Sequence, residues 1–308
     1  MITQPSDKTI VLDLLRCATP ERDGEICRLW TRYGQDIEVA ESGSGLTMNA
    51  TDKRIRFDTK TIDFCWLVGF AFWKSLEVYG PALELATGTG TTLEKALVID
   101  EQRALYEADF KQRISIGQLL IAAQRTADIS WPEDLPEPTT YFDSLQDVQD
   151  QATLDLVGMA LAFTFFHELR HVMFRFENRD APLPRDEEEM ACDTWARAFM
   201  TEKAAEYARI HGREYVEVAQ MRAMGIALAG AIIHAMTAPH NRWGSADYPP
   251  LSERLKAMID GHTLAETSWF WTFAACILIA LLRQQHVKLE ITASTAKELV
   301  DELFNVLG

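Results

Sequence analysis

Apolar positions along this chain recur mostly at three- and four-residue intervals, the helical period, with few stretches of strand-like alternation. Lys8 to Arg16 and Glu21 to Tyr33 read as two short helices, with Pro20 at a start position. Asp36 to Ala40 and Arg54 to Asp58 read as strands. Glu41 to Gly45 between them reads as a turn, so a small sheet or hairpin is expected. Thr61 to Tyr79 carries Phe64, Trp66, Phe70, Phe72 and Trp73 and reads as a buried helix. Ala86 to Thr92 holds only a lone Gly-Thr-Gly, weak as a phosphate-binding signal, and reads as a loop. Leu93 to Gln124 has helical spacing with a break. The prolines between Trp131 and Pro138 predict a stiff extended connector.

Leu145 to Phe176 reads as a long helix. Its stretch from Val157 to Phe166 is almost wholly apolar, so it should run through the core. Pro182 and Pro184 end the next loop. Helices are then expected over Asp186 to Ile210, Gly212 to Ala238, Pro249 to Ile259, Leu264 to Leu282 and Ala293 to Leu307, with a short strand over Val287 to Thr292. The small residues of GIALAGAII in the second of these helices allow close packing. The expected fold is mostly α with a small β element (α+β).

Of the 308 residues, 47% are hydrophobic, enough for a large core. No linker-like stretch is visible. One domain over 1–308 is expected, with 1–130 as a helical and small-sheet part and 131–308 carrying the chemistry. The net charge of −16 repels phosphate backbones and anionic lipid, so nucleic acid and membrane surfaces are not expected partners. The five cysteines are scattered, with no CxxC pair, as in a cytosolic protein with reduced thiols. The N-terminal stretch does not read as a signal peptide. The longest uncharged apolar run, Thr267 to Leu282, is 16 residues and short of a membrane span.

The chemistry concentrates in His167-Glu168-Leu169-Arg170-His171. Residues four apart share a helix face, with Cβ atoms about 5–6 Å apart. Two imidazoles so placed can converge on one zinc, and the intervening Glu168 can act as general base on a water. Catalytic zinc takes three protein ligands, and the next acidic cluster is Asp186 to Glu189. Glu189 is the expected third ligand. Asp193, one turn further on, is expected to orient a ligand histidine. Glu189 has an alternative use, since Asp186 as N-cap with Glu189 at N3 would form a capping box. Glu187 and Glu188 read as complements to the helix dipole. Cys192 lies near the same face and reads as a small buried hydrophobe.

FFHELRHVMF, DEEEMACDTWARAF and DYPPLSERLKAMI, preceded by WPEDLPEP, resemble the Lit phage-exclusion peptidase family, in matching order and spacing from Trp131 to Ile259. More broadly the pattern is similar to a gluzincin, a zincin-like peptidase with Glu as third ligand and a buried active-site helix. The resemblance implies a cytoplasmic bacterial zinc protease with His167, His171 and Glu189 as ligands and Glu168 as base. It implies a protein substrate, which for the founding member is a translation elongation factor cut during phage infection. The sequence departs from the family at Tyr248-Pro249, where a His-Pro dipeptide is expected. Tyr248 could replace that histidine as donor to the oxyanion, with His240 as a rival. Arg254 is expected to pair with an acidic residue of the site. The alternative to an enzyme is a metal-stabilised regulatory or partner-binding protein, which would have no need of Glu168.

Overall fold

The computed structural model describes residues 7–34, 37–40, 43–51, 54–99, 103–137, 145, 147–177, 184–245 and 247–308. Asp36, Glu41, Ser42, Pro138 and Pro182, on which some expectations fell, lie outside them.

Twelve helices and three short strands occupy the described residues. Helices α1 (Asp7–Ala18) and α2 (Asp23–Tyr33) come first, around a 3₁₀ turn at Pro20–Arg22. Strands β1 (Ile37–Val39), β2 (Met48–Ala50) and β3 (Ile55–Phe57) form one sheet in the order β1-β3-β2. β1 pairs with β3 in parallel, Ile37 opposite Ile55, and β2 pairs with β3 antiparallel, Ala50 opposite Ile55. The two expected strands are therefore neighbours but not a hairpin. The chain between them contributes a third strand, and that strand takes the hairpin partner's place.

Helix α3 (Thr59–Thr89) starts where the Asp58 side chain accepts the Thr61 N–H at 2.6 Å. It runs through Pro81 to Gly90, whose φ of 68° is the left-handed conformation that ends helices. The expected loop thus begins at Gly90 rather than Ala86. Pro81 is tolerated because the carbonyl it leaves unbonded, that of Glu77, lies on the exposed face. Helices α4 (Leu93–Ile99) and α5 (Arg103–Ala122) follow, and residues 100–102 between them lie outside the described residues. Lys60 is buried, and its ammonium donates to the carbonyls of Gly43 and Ala123, at 2.5 and 2.6 Å. This ties the connection that leads into β2 to the segment after α5.

Helix α6 (Val148–Glu177) is capped by Asp147, which accepts the Gln149 N–H at 2.6 Å. It is followed by α7 (Arg185–Thr201), α8 (Ala204–His211), α9 (Tyr215–Met236), α10 (Leu251–Asp260), α11 (Trp269–Gln284) and α12 (Ala296–Leu307). The single helix expected over Asp186 to Ile210 is broken in two after Thr201. The strand expected over Val287 to Thr292 is absent. Its Leu289 and Ile291 carbonyls instead accept the Glu94 and Leu93 N–H groups at 2.9 and 2.8 Å, capping α4.

One apolar cluster runs from Val11 to Leu307, and α6 lies within it against α1, α3, α7 and α9. Gly225 and Gly230 of α9 allow that closeness. A Cβ on Gly225 would stand 2.5 Å from Met159 Cβ of α6, and one on Gly230 2.6 Å from Leu255 Cδ1 of α10. By length and apolarity α6 and α9 could each cross a membrane, but both are mostly buried within the fold, as core helices are. With its apolar faces locked in packing, α6 presents its polar turn in a fixed orientation.

Candidate active site

His167 and His171 share the face of α6 that meets the first turns of α7. They are 6% and 5% exposed, and Glu189 of α7 is 5% exposed. His167 Nε2 lies 3.1 Å from His171 Nε2. Glu189 reaches both rings, its Oε2 3.4 Å from His167 Nε2 and its Oε1 3.3 Å from His171 Nε2. Among the described residues these three side chains form the one cluster able to hold a metal ion.

The outer nitrogens of the two rings face carboxylates. His171 Nδ1 is 2.5 Å from Glu188 Oε1. His167 Nδ1 is 2.7 Å from Asp193 Oδ1, in an ion-pair contact too bent for a well-aligned hydrogen bond. A proton on each Nδ1 faces a carboxylate, as a hydrogen bond at His171 and an ion-pair contact at His167, and leaves both Nε2 lone pairs aimed at Glu189. Two lone pairs and a carboxylate facing one another 3.1–3.4 Å apart repel unless a cation stands among them.

Arg254 of α10 holds the acids in place. Its Nε and Nη2 donate to Asp193 at 2.7 and 2.9 Å, and its Nη1 lies 3.2 Å from Glu189. The charges shift one another accordingly. Burial opposes a charge on His167, but Asp193 and then Glu189 outweigh it and hold the metal-free imidazole at about 10. Burial likewise opposes ionised Glu189 and Asp193. The histidines and Arg254 overcome it, and both carboxyls sit below their usual range.

Glu168 is half-buried, beside this cluster on the wall of a cleft of about 230 Å³. Burial raises its carboxyl pKa, and the two histidines offset part of that rise. The Ala50 N–H donates to it. Neither Arg170 nor Arg175 pairs with it among the described ion pairs. Arg170 stacks over Phe174, 4.1 Å from the ring centroid, and Arg175 donates to the Ala50 carbonyl at 2.6 Å. The opposite wall is β2. It is an edge strand, and on the side turned to α6 the Ala50 N–H meets Glu168 and its carbonyl meets Arg175.

The capping-box use of Glu189 is not realised. α7 starts at Arg185 after Pro184, Asp186 lies inside the helix, and the Glu189 carboxylate points to the histidines. Cys192 is fully buried, and burial raises its thiol pKa strongly, which keeps it protonated. Tyr248 lines the cleft, is 45% exposed, and accepts from Arg185 Nη2 at 3.2 Å. His240 is exposed on a 3₁₀ turn and does not line this cleft.

Three contributors were not read from the sequence: Glu188 as the partner of His171, Arg185 against Tyr248, and β2 as a wall. A signal existed for the first. Each ligand-type histidine needs its own partner, and Asp193 serves one only.

The sequence model of the peptidase U49 family matches residues 55–274. No curated protein and no solved structure matches the chain.

Proposed function

The chain belongs to the peptidase U49 family, the Lit peptidases, and we propose that it hydrolyses a protein substrate with a zinc ion held by His167, His171 and Glu189. The observation that carries this reading is the spacing of the three donors. A tetrahedral ion with bonds of about 2.0–2.1 Å sets its ligand atoms about 3.3–3.4 Å apart. The donors here stand 3.1, 3.3 and 3.4 Å apart, with Nδ1 of each ring already given to a carboxylate. Two imidazoles and one carboxylate leave a coordination position open, unlike the closed four-ligand structural sites.

When bound, zinc polarises a carbonyl and lowers the pKa of a water to about 7. Glu168 accepts the proton of the attacking water and delivers it to the leaving amine. Its raised pKa suits both steps, since a carboxylate nearer neutrality returns the proton more readily. Asp193 and Glu188 orient the two rings, and Arg254 fixes Asp193 and Glu189. A metal-stabilised scaffold has no use for a half-buried Glu168 on a cleft wall. A bacterial cytoplasmic setting and a part in phage defence belong to the same reading and rest on the likeness of the motifs.

The test is to express wild type and Glu168→Gln in a bacterial host and compare the protein termini that arise. Termini that require Glu168 support the reading. Identical termini in both strains, with the wild type folded and zinc-loaded, refute it.

The Tyr248 hydroxyl is proposed to donate to the oxyanion of the tetrahedral intermediate. Tyr248→Phe is expected to lower kcat by about 10²–10³-fold with KM and zinc content little changed, the cost of one such donor. Normal turnover by the Phe variant removes Tyr248 from the mechanism. Asp193→Ala is expected to weaken zinc binding by about 10–100-fold, because the His167 ring loses its orienting carboxylate. Unchanged zinc affinity with lowered stability makes Asp193 a packing residue for Arg254 instead.

A further inference from the structure

A second cavity, of about 540 Å³, lies on the far side of one wall of the metal cleft. That wall is the chain from the end of α9 to the start of α10. Ile233, Thr237, Tyr248 and Arg254 line the metal cleft, while His234, Arg242, Trp243 and Leu251 line the second cavity.

Its lining is unusual for this chain. Asp and Glu number 46 among 308 residues, yet none lines the cavity, whereas Lys111 and Arg242 both do. Lys111 is shared with Glu107, 3.1 Å away. Arg242 meets no carboxylate among the described ion pairs. Its Nε donates to the Thr237 carbonyl at 3.0 Å, and no other hydrogen bond of its guanidinium occurs among the described residues. A half-buried guanidinium without a counter-charge is costly to hold, and an anion would compensate it.

The neutral groups are also unspent. His234 is 4% exposed, and its Nδ1 has no hydrogen-bond partner. Burial, with Arg242 second, holds that ring neutral, with its pKa lowered to about 3. Gln284 Nε2, on the same lining, is likewise buried without a partner. Trp243, 72% exposed, offers an indole face near Leu251 and Leu307.

We propose that this cavity binds a small organic anion, its phosphate or carboxylate held by Arg242 and its apolar body laid against Trp243 and Leu251. Cavities of this size hold drug-sized ligands and bind them through a few polar groups on an otherwise apolar surface. The site is separate from the peptidase chemistry. Its occupant touches the same segment that carries Tyr248 and Arg254.

The probes are phenyl phosphate and benzoate, which share an aromatic body and differ in the anion, with phenol as the uncharged control. Calorimetry on the full chain is expected to give a Kd of about 1 mM or tighter for at least one anion, the range small fragments reach. Phenol should bind at least about tenfold more weakly. Arg242→Gln should weaken the anion by about tenfold or more, the loss of a charge-assisted contact. Because Arg242 also holds the Thr237 carbonyl, Trp243→Ala serves as a second variant at an exposed side chain and should weaken binding without unfolding the chain. Which anion binds better identifies the headgroup as phosphate or carboxylate. The proposal is overturned by no saturable binding of either anion to about 10 mM. Equal binding of phenol and the anions, or undiminished binding to both variants, overturns it as well.

Discussion

Glu168→Gln protein is expected to fold, to keep its metal and to lose cleavage by at least about 10²-fold, the low end for general-base catalysis. The substitution is nearly isosteric. The amide oxygen can still accept the Ala50 N–H, so the cleft wall should stand. The amide cannot take the proton of the attacking water, and the leaving amine then departs unassisted. Glu168 is not one of the three clustered donors, so zinc content should match the wild type. The measurement is turnover of a peptide spanning a wild-type cleavage site, with zinc determined on the same sample. A Gln variant within about tenfold of wild type requires a different base.

His171→Ala is expected to abolish stoichiometric metal binding, against about one zinc per chain in the wild type. Removing it leaves two donors and deprives Glu188 of its 2.5 Å partner, so the loss exceeds one bond. Metal analysis after dialysis checks this, and full zinc in the variant refutes the ligand set. The same site predicts a pH dependence. In the metal-free chain His167 is held protonated up to about pH 10 by Asp193 and Glu189, against the effect of burial. Zinc must displace that proton. Apparent zinc affinity should therefore rise with pH, by about tenfold per pH unit for each proton released. Competition with a chromophoric chelator between about pH 6 and 8 measures the slope. A flat profile means that His167 is already neutral before zinc binds.

Much of the fold was legible because helical periodicity is local. α6, α9 and α11 announce themselves in apolar spacing, and caps such as Asp58 and Gly90 act within one turn. Where neighbours in space decide, the sequence misleads. β2 is three residues with no strand pattern of its own, and it exists because β3 offers an edge. Val287 to Thr292 looks like a strand, but its carbonyls are taken by the start of α4. The expected helix stops at Tyr79, yet α3 continues through Pro81 because burial on both sides outweighs one missing bond on an exposed face.

At the site, the sequence alone determined the pair of imidazoles and the carboxylate between them. Positions 167, 168 and 171 are related by the pitch of a single helix. It also pointed to Glu189 as third donor and Asp193 as orienting carboxylate, with a capping use of Glu189 left open. That Glu188 meets His171, and that Glu189 reaches both rings rather than capping α7, was decided by how α7 lies against α6. Adjacent helical residues point about 100° apart, so packing alone sends Glu189 to both Nε2 atoms and Glu188 to the outer side of His171. Arg254 and Tyr248 are both about eighty residues from the histidines, and no local rule brings them to the cleft. The close α9–α10 contact at Gly230 carries Arg254 onto Asp193, and Arg185 meets Tyr248 across the cleft mouth. Local geometry wrote the histidine pair, and the packing of separate helices supplied the charges that hold it.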